Sequence, residues 1–182
     1  MYTLKEIESY AHKCRRCPLH KTRTKLVFGA GNPKADILFV GEAPGFYEDK
    51  SGQVFVGKSG QLLDKMLASI DLKREDIYIA NIIKCRPPDN RSPTEEESTS
   101  CIEFLRWQVK IIQPKIIVCL GAVAAKNIIS PDFRVSRQRG VWISRGSYSI
   151  IASYHPSALL RDESKKTEAW EDLKKIRQKL DE

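Results

Sequence analysis

The sequence lacks any apolar run close to the roughly 18 residues that a membrane-spanning helix needs. Its first residues, MYTLKEIESY, are amphipathic and lack the charged start and apolar centre of a secretion signal. Internal repeats, low-complexity tracts and an interdomain linker are also absent. We therefore expect a single intracellular domain over residues 1–182, in the cytoplasm and without a membrane partner.

Negative charge is in deficit, because 31 Lys and Arg residues outnumber 23 Asp and Glu residues and give a formal net charge of +8. This excess favours a polyanionic partner, although an ordinary solvated surface is the alternative. Cysteine is limited to five residues. Because the cytosol keeps thiols reduced, a disulfide framework is disfavoured and metal ligation becomes the better use of these residues.

Short runs of branched apolar residues alternate with segments of helical periodicity. The runs that predict buried strands are Asp36–Gly41, Ile77–Ile82, Lys115–Leu120 and Tyr148–Ser153. This alternation predicts an α/β fold with helices on both sides of a parallel sheet, that is, three α/β/α layers around a central four-stranded parallel sheet. Ligands of such folds bind at the carboxyl ends of the strands.

Helical periodicity marks the segments between these runs. The predicted helices are an opening segment with Leu4, Ile7, Ala11 and Cys14 on one face, then Gly60–Ile70, Gly121–Ile129, and a closing segment with Trp170, Leu173, Ile176 and Leu180 on one face. A further helix is predicted to open with a capping box from Ser92 to Glu95, with Pro93 at its first position.

The segment Gly52–Ser59 matches the P-loop pattern G-x-x-x-x-G-K-[ST]. A working P-loop follows its strand directly and wraps phosphate with small residues, whereas this segment starts well after the strand and contains Phe55. Nucleotide binding is therefore disfavoured. Lys58, Ser59 and Gly60 instead mark a helix start whose backbone N–H groups can bind a phosphate of any polymer.

Cysteines follow or occupy several predicted elements. Cys14 and Cys17 follow the first helix, Cys85 follows a strand, and Cys101 lies on a helix face. These thiols can converge on a structural tetrathiolate site, whereas Cys119 lies inside a buried strand. Zinc and an iron–sulfur cluster both suit such a site, and the spacing does not choose between them. Unrelated buried thiols are the alternative.

Polar residues also stand at the ends of predicted strands. Asn81 is an amide inside the apolar run IYIANI, where burial is costly without a hydrogen bond. His155 follows the last strand directly and precedes Pro156. A turn-capping contact is the alternative role for each side chain.

These motifs together resemble the family 4 uracil-DNA glycosylases, the thermostable iron–sulfur type. The matching segments are GEAPG from Gly41, VGKSGQLLD from Val56, NIIKCRPP from Asn81 with Asn90-Arg91, and HPSALLR from His155. The resemblance covers nearly the whole chain and makes the P-loop match a coincidence. It implies the uracil-DNA glycosylase superfamily fold and a [4Fe–4S] cluster on Cys14, Cys17, Cys85 and Cys101.

The implied activity is the flipping of uracil out of single- or double-stranded DNA and hydrolysis of its N-glycosidic bond, a step of base excision repair. Phe55 is expected to stack on the flipped base. Asn81 is expected to accept from N3–H and donate to O4, a pattern that cytosine does not match. Glu48 is expected to obstruct the thymine methyl group, and His155 to donate to O2 as negative charge develops there.

One position departs from the pattern of several related glycosylases, where an Asp orients the attacking water. Ala43 stands there in this sequence. Glu42 and Ala43 are expected to line the uracil pocket, and the water must be held by backbone groups of this loop, by Glu42 itself or by Asn90. The missing carboxylate is also the main support for the competing hypothesis, a non-catalytic cluster-containing module that binds DNA.

The last motif is expected to contact the DNA strand. Leu159 or Leu160 is expected to fill the gap that the flipped base leaves, while Arg161 contacts phosphate. We expect the protein to be a monomer that associates with the nucleoid.

Overall fold

The structure, a computed structural model, describes residues 2–182, so residue 1 of the expected domain lies outside the described part. The α-helices are α1 (Leu4–His12), α2 (Phe46–Ser51), α3 (Lys58–Ala68), α4 (Glu95–Ile112), α5 (Ala122–Ile128), α6 (Val135–Gln138), α7 (Pro156–Arg161) and α8 (Lys166–Leu180). The strands are β1 (Ala30–Gly31), β2 (Ile37–Gly41), β3 (Tyr78–Asn81), β4 (Ile116–Leu120), β5 (Ile143–Arg145) and β6 (Tyr148–Ser153). Short 3₁₀ turns occupy Pro18–Lys21, Arg74–Asp76, Pro88–Asn90 and Glu163–Lys165.

The strands form one sheet in the order β1-β3-β2-β4-β6-β5. Its four central strands run parallel, which confirms the predicted parallel sheet and the α/β fold class. All residues of β2, β3 and β4 are buried, as their continuous apolar sequences require. The two edge strands, β1 and β5, pair antiparallel with their neighbours and were not predicted.

The start of α4 differs from the prediction. Its N-cap is Thr94, whose side chain accepts from the backbone N–H of Glu97, and the Glu97 carboxylate accepts from the backbone N–H of Thr94. Arg91 also donates to both Glu97 oxygens, at 2.9 and 2.7 Å. The expected box from Ser92 to Glu95 is therefore wrong, because Arg91 holds Glu97 in the capping position.

The apolar face of α8 also differs from the prediction. Ala169, Leu173 and Ile176 are buried, whereas 39% of Trp170 is exposed. The buried stripe thus starts one residue earlier than expected. The same helix carries the buried carboxylate of Asp172, which accepts from Ser153 Oγ at 2.6 Å and from Arg139 at 2.7 Å.

Loops that follow β2, β3 and β6 meet at one edge of the sheet, because parallel neighbours end on the same side. The register pairs Gly41, the last residue of β2, with Asn81, the last residue of β3. Among residues 2–182, no helix combines the length and the apolar character that crossing a bilayer requires.

Candidate active site and cysteine cavity

A cleft with a volume of about 530 Å³ lies at the carboxyl edge of the parallel strands. It brings together most of the residues expected to bind base or DNA. These lining residues are Glu42, Ala43, Glu48, Phe55, Lys58, Ser59, Asn81, Asn90, His155 and Arg161. The cleft is also lined by Phe46, Tyr47 and Arg91, for which the sequence suggested no role.

Asn81 presents a buried amide to this cleft. Only 2% of the residue is exposed, and within the described chain its Oδ1 is the buried side-chain oxygen without a hydrogen-bond partner. A buried acceptor without a donor costs about 1–3 kcal/mol, so the atom is suited to a donor supplied by a ligand. A Cβ atom on Gly41 would lie 2.5 Å from this oxygen and 2.7 Å from Phe55 Cζ. Glycine at that position therefore keeps the space between the amide and the ring open.

Phe55 is held in an unusual backbone conformation beside Asn81. Its φ is +52°, in the left-handed region that L-residues rarely adopt. Arg74 donates to the carbonyl oxygen of Val54 at 2.9 Å and to that of Phe55. A Cβ atom on Gly60 would overlap the Phe55 carbonyl group. Arg74 and Gly60 thus fix the loop that carries the aromatic ring.

Glu48 holds the other side of the same loop. Its Oε1 accepts from the backbone N–H groups of Val56 and Gly57, both at 2.9 Å, and 9% of the residue is exposed. These N–H groups lie within the P-loop-like sequence and already serve a protein carboxylate. The structure therefore agrees with the interpretation of that match as a coincidence.

His155 caps α7 and faces Phe55, with 5.6 Å between the ring centroids. Its Nδ1 lies 3.1 Å from the backbone nitrogen of Ser157. Because a backbone N–H can only donate, Nδ1 accepts and the neutral ring carries its proton on Nε2. Burial and the charge of Arg161 lower the pKa of His155 to about 4, against an opposing effect of Glu48. The ring is therefore a neutral Nε2–H donor at physiological pH.

The candidates for holding water are placed differently. Glu42 is half-buried in the cleft, and its backbone carbonyl accepts from Ile83 N–H at 3.2 Å. Asn90 is exposed, has a left-handed φ of +54°, and accepts from Arg86 Nε at 2.7 Å. The Asn90 oxygen is thus already engaged, whereas the Glu42 carboxylate lies free to meet a bound water.

Two predicted DNA contacts need correction. Leu159 is 1% exposed and belongs to the core, so it cannot enter DNA, whereas Leu160 is 47% exposed. The cause is the packing of α7 against α3, which buries one side of this short helix. Gly60 is buried beneath the Phe55 loop and does not line the cleft. Its role in this structure is close packing, not phosphate contact.

A separate, very small cavity of about 10 Å³ is lined by Cys14, Cys17, Cys85 and Cys101. Cys119 is fully buried in β4, outside this cavity, as expected. Arg23 Nη1 donates to Cys85 Sγ at 3.1 Å, and the backbone N–H of Lys84 donates to Cys101 Sγ at 3.3 Å. In the part of the chain that the structure describes, no three His, Cys, Asp or Glu side chains converge on a single-ion site.

Comparison with known proteins identifies the family. Residues 28–174 match the family model of the uracil DNA glycosylase superfamily. The sequence is 47% identical to the type-4 uracil-DNA glycosylase of Archaeoglobus fulgidus, over 97% of this chain and 92% of the relative. It is 42% identical to the type-4 enzyme of Thermotoga maritima, over 97% of this chain and 96% of the relative. The chain is a type-4 member of the uracil-DNA glycosylase superfamily. A type-5 enzyme of Pyrobaculum aerophilum is more distant, at 31% identity over 71% of this chain and 64% of the relative.

Within this type-4 member, Lys84 connects the cysteine cavity to the cleft. The side chain is fully buried, and its Nζ donates to the backbone oxygen of Asn81 at 2.9 Å and to Gln108 Oε1 at 2.7 Å. Burial lowers the pKa of Lys84 to about 8. No carboxylate of residues 2–182 pairs with it. Lys84 was not predicted, although a lysine after the apolar run YIANII is the signal that could have marked it.

Proposed function

We propose that this protein excises uracil from DNA by hydrolysing the N-glycosidic bond and leaving an abasic site, a step of base excision repair. Its relatives named type-4 uracil-DNA glycosylases support this function. The observation that carries the proposal is the buried Asn81 Oδ1, which has no donor from the described chain and lies beside the rings of Phe55 and His155.

Base recognition follows from the amide. Uracil in DNA is stacked, so the nucleotide must leave the stack to reach a cleft of this depth. Its N3–H would donate to Asn81 Oδ1, and its O4 would accept from Nδ2, while Phe55 covers one face of the ring. Cytosine has an acceptor at N3 and an amino donor at C4, so both contacts would fail.

Bond cleavage places negative charge on the departing uracil and positive charge on the sugar. A neutral His155 that donates through Nε2 would bind O2 more strongly as this charge develops, which lowers the barrier. Ala43 offers no carboxylate, and Asn90 is engaged with Arg86. We therefore assign the positioning of water to Glu42.

Exclusion of thymine is assigned to Glu48. Its carboxylate is fixed by two backbone N–H groups, and Gly45 allows close approach, because a Cβ there would lie 2.8 Å from Glu48 Oε2. A rigid carboxylate beside the C5 edge of the base would clash with a methyl group. A mobile side chain could move aside, so the fixed geometry is the basis of the discrimination.

We assign a [4Fe–4S] cluster to the four cysteines of this cavity. Its four thiols line one small space, and two of them receive N–H donors, as sulfur ligands of clusters do. The choice of a cluster over zinc rests on the motif resemblance, because four thiols suit either group. When bound, the cluster would supply structural cross-linking between the segment after α1, the loop after β3 and helix α4. The residues of the cleft act without it.

The substrate is uracil-containing DNA, single- or double-stranded, bound by a monomer inside the cell near the nucleoid. Lys58 and Arg161 line the cleft and pair with no carboxylate of residues 2–182, so they are available for phosphate. The full chain is expected to behave as one domain.

The test is single-turnover incubation with an oligonucleotide that carries one uracil, in EDTA and without ATP, followed by alkali cleavage at abasic sites. Release of uracil, with no release from matched oligonucleotides that carry thymine or cytosine, supports the proposal. Tight DNA binding without cleavage would favour the binding-module hypothesis. A strict requirement for magnesium or ATP would contradict the mechanism and revive Gly52–Ser59 as a nucleotide loop.

A further inference from the structure

One wall of the cleft exposes two adjacent aromatic rings. Phe46 and Tyr47 begin α2, directly after the GEAPG loop, and are 42% and 63% exposed. The rings pack edge to face, with centroids 5.3 Å apart and an interplanar angle of 89°. We call this pair the aromatic wall. Exposed aromatic rings beside a cleft offer a flat surface on which a nucleobase can stack.

Cations surround the aromatic wall. Lys50 Nζ lies 4.6 Å and Arg86 Cζ 5.3 Å from the centre of the Phe46 ring. Arg86 is fixed by Asn90, and neither cation pairs with a carboxylate of residues 2–182. Their positive charge is therefore free to meet phosphates, and Phe46 is already occupied as their support.

Tyr47 is the ring left for a ligand. Phe46 supports it edge to face, and it stands near the start of α3, since a Cβ on Gly57 would lie 3.5 Å from Tyr47 Cδ2. A strand whose uracil lies in the pocket must leave the cleft past one of its walls. Along the aromatic wall it would meet the exposed Tyr47 ring, the cations Lys50 and Arg86 beside Phe46, and Lys58 in the cleft lining, a combination of stacking surface and cations that binds single strands.

We propose that Tyr47 stacks on the nucleobase next to the flipped uracil and that this contact gives the protein a preference for single-stranded DNA. The reason is that the neighbouring base in a duplex stays paired within the helix and cannot turn toward Tyr47, whereas the same base in a single strand can. Leu160, exposed on α7 beside the cleft-lining Arg161, instead suits a duplex, because an apolar side chain can fill the gap left by the flipped base. This inference rests on the proposed function.

The test compares Tyr47→Ala and Leu160→Ala on the same uracil in single- and double-stranded oligonucleotides, by kcat/KM. Tyr47→Ala should lose about tenfold on the single strand, the scale of one base–aromatic stack, and much less on the duplex. Leu160→Ala should show the reverse pattern. Tyr47→Phe should restore single-strand activity. Trp170→Ala removes an exposed aromatic residue of α8 that does not line the cleft, and it should change activity on neither substrate.

A second substrate set isolates the stack itself. Single strands that carry a base-free spacer directly 5′ or 3′ of the uracil remove the proposed partner. On one of these strands, wild type should lose about the same tenfold, whereas Tyr47→Ala should lose nothing further. If Tyr47→Ala remained tenfold below wild type on the spacer strands as well, the stack would be overturned. An equal loss on single strand and duplex would overturn the preference.

Failure of the inference can be told apart from failure of the proposed function. If wild type releases no uracil from any strand, the function is wrong. If wild type releases uracil and Tyr47→Ala matches it on every substrate, only the aromatic wall is wrong. Inhibition by free uracil should stay the same in Tyr47→Ala, because the base contacts are assigned to Asn81, Phe55 and His155 and not to Tyr47.

Discussion

The cleft and the cysteine cavity are both partly buried, but the chain holds their functional groups in different ways. In the cleft, Glu48 fixes two backbone N–H groups, Arg74 fixes the Phe55 carbonyl, and Ser157 fixes the ring of His155. In the cavity, the hydrogen bonds to sulfur come from Arg23 and the Lys84 backbone. The cleft is therefore preorganised by side-chain contacts to the backbone, whereas the cysteine segments have two N–H contacts to sulfur, to which the proposed cluster would add a cross-link.

The largest effect is expected from a substitution in the cysteine cavity. Cys85→Ala removes one proposed cluster ligand, and because binding energy at a structural site is folding energy, we expect a loss of most of the folded protein. Iron content and absorbance near ~400 nm, together with the yield of folded protein, measure this loss. Cys119→Ala, which lies outside the cavity, should keep both the colour and the iron. A Cys85→Ala protein with wild-type iron and stability would contradict the ligand assignment.

The next largest effect is a loss of activity in the cleft with the fold retained. His155→Ala removes the Nε2–H donor, and loss of one such donor typically costs about 100- to 1,000-fold in rate. Single-turnover uracil release should fall by that factor, while DNA affinity stays near wild type. Ser157→Ala keeps the backbone N–H that orients the ring and should lose less than about fivefold. Equal loss of affinity and rate in His155→Ala would reduce this residue to a structural cap.

Base reading should respond on a smaller scale. Asn81→Asp is nearly isosteric but replaces the donor to uracil O4 with an acceptor, and an unpaired buried group of this kind costs about 1–3 kcal/mol, or roughly 5- to 150-fold. Excision of uracil from a single strand measures it, with Asn127→Asp, an exposed amide on α5, as the control. Weak release of unpaired cytosine by Asn81→Asp at low pH would strengthen the assignment. Wild-type uracil release by Asn81→Asp would show that this amide does not read the base.

The smallest effect concerns stability against pH. The pKa of His155 falls from 6.5 to about 4 on folding, so the unfolded chain binds a proton more readily between these values. The contribution of His155 to the free energy of unfolding is complete above pH 6.5 and is lost as the pH falls toward 4. At pH 5 this loss amounts to about 2 kcal/mol. The difference in denaturant midpoint between pH 7 and pH 5 measures this. His155→Asn, which can still cap α7, should show a smaller difference, and an unchanged difference would remove His155 as its cause.

The parts of the fold that the sequence predicts well are those decided by local composition. The strand that contains Phe39 and the one that contains Val118 are continuous apolar runs, so burial on both faces can be read directly. The edge strands β1 and β5 have two and three residues, too few to show a period. Helix α7 is similarly short, so its sequence does not show which of Leu159 and Leu160 faces the core.

The candidate site divides in the same way. The residue types of Asn81 and His155, together with their positions at the ends of strands, are enough to mark a pocket. The residues that position these side chains have no recognisable sequence pattern. Arg74 reaches the Phe55 carbonyl from a separate turn, and Glu48 reaches Gly57 from another helix. Contacts between distant segments have no local pattern. The His155 tautomer likewise depends on a geometry that only the folded chain provides.

Lys84 has a consequence for anyone who wishes to build a cysteine-free version of this enzyme. Its ammonium group supports the carbonyl of Asn81 from below while its own backbone faces Cys101. In the proposed cluster the thiolates would place negative charge near this buried cation, and apolar replacements of the thiols would remove that charge. A successful redesign would therefore have to replace Lys84 and Gln108 together with the cysteines, and find a neutral donor for the Asn81 carbonyl. Grafting the base-binding residues alone onto another scaffold would omit the hydrogen bond from Lys84 to the Asn81 carbonyl.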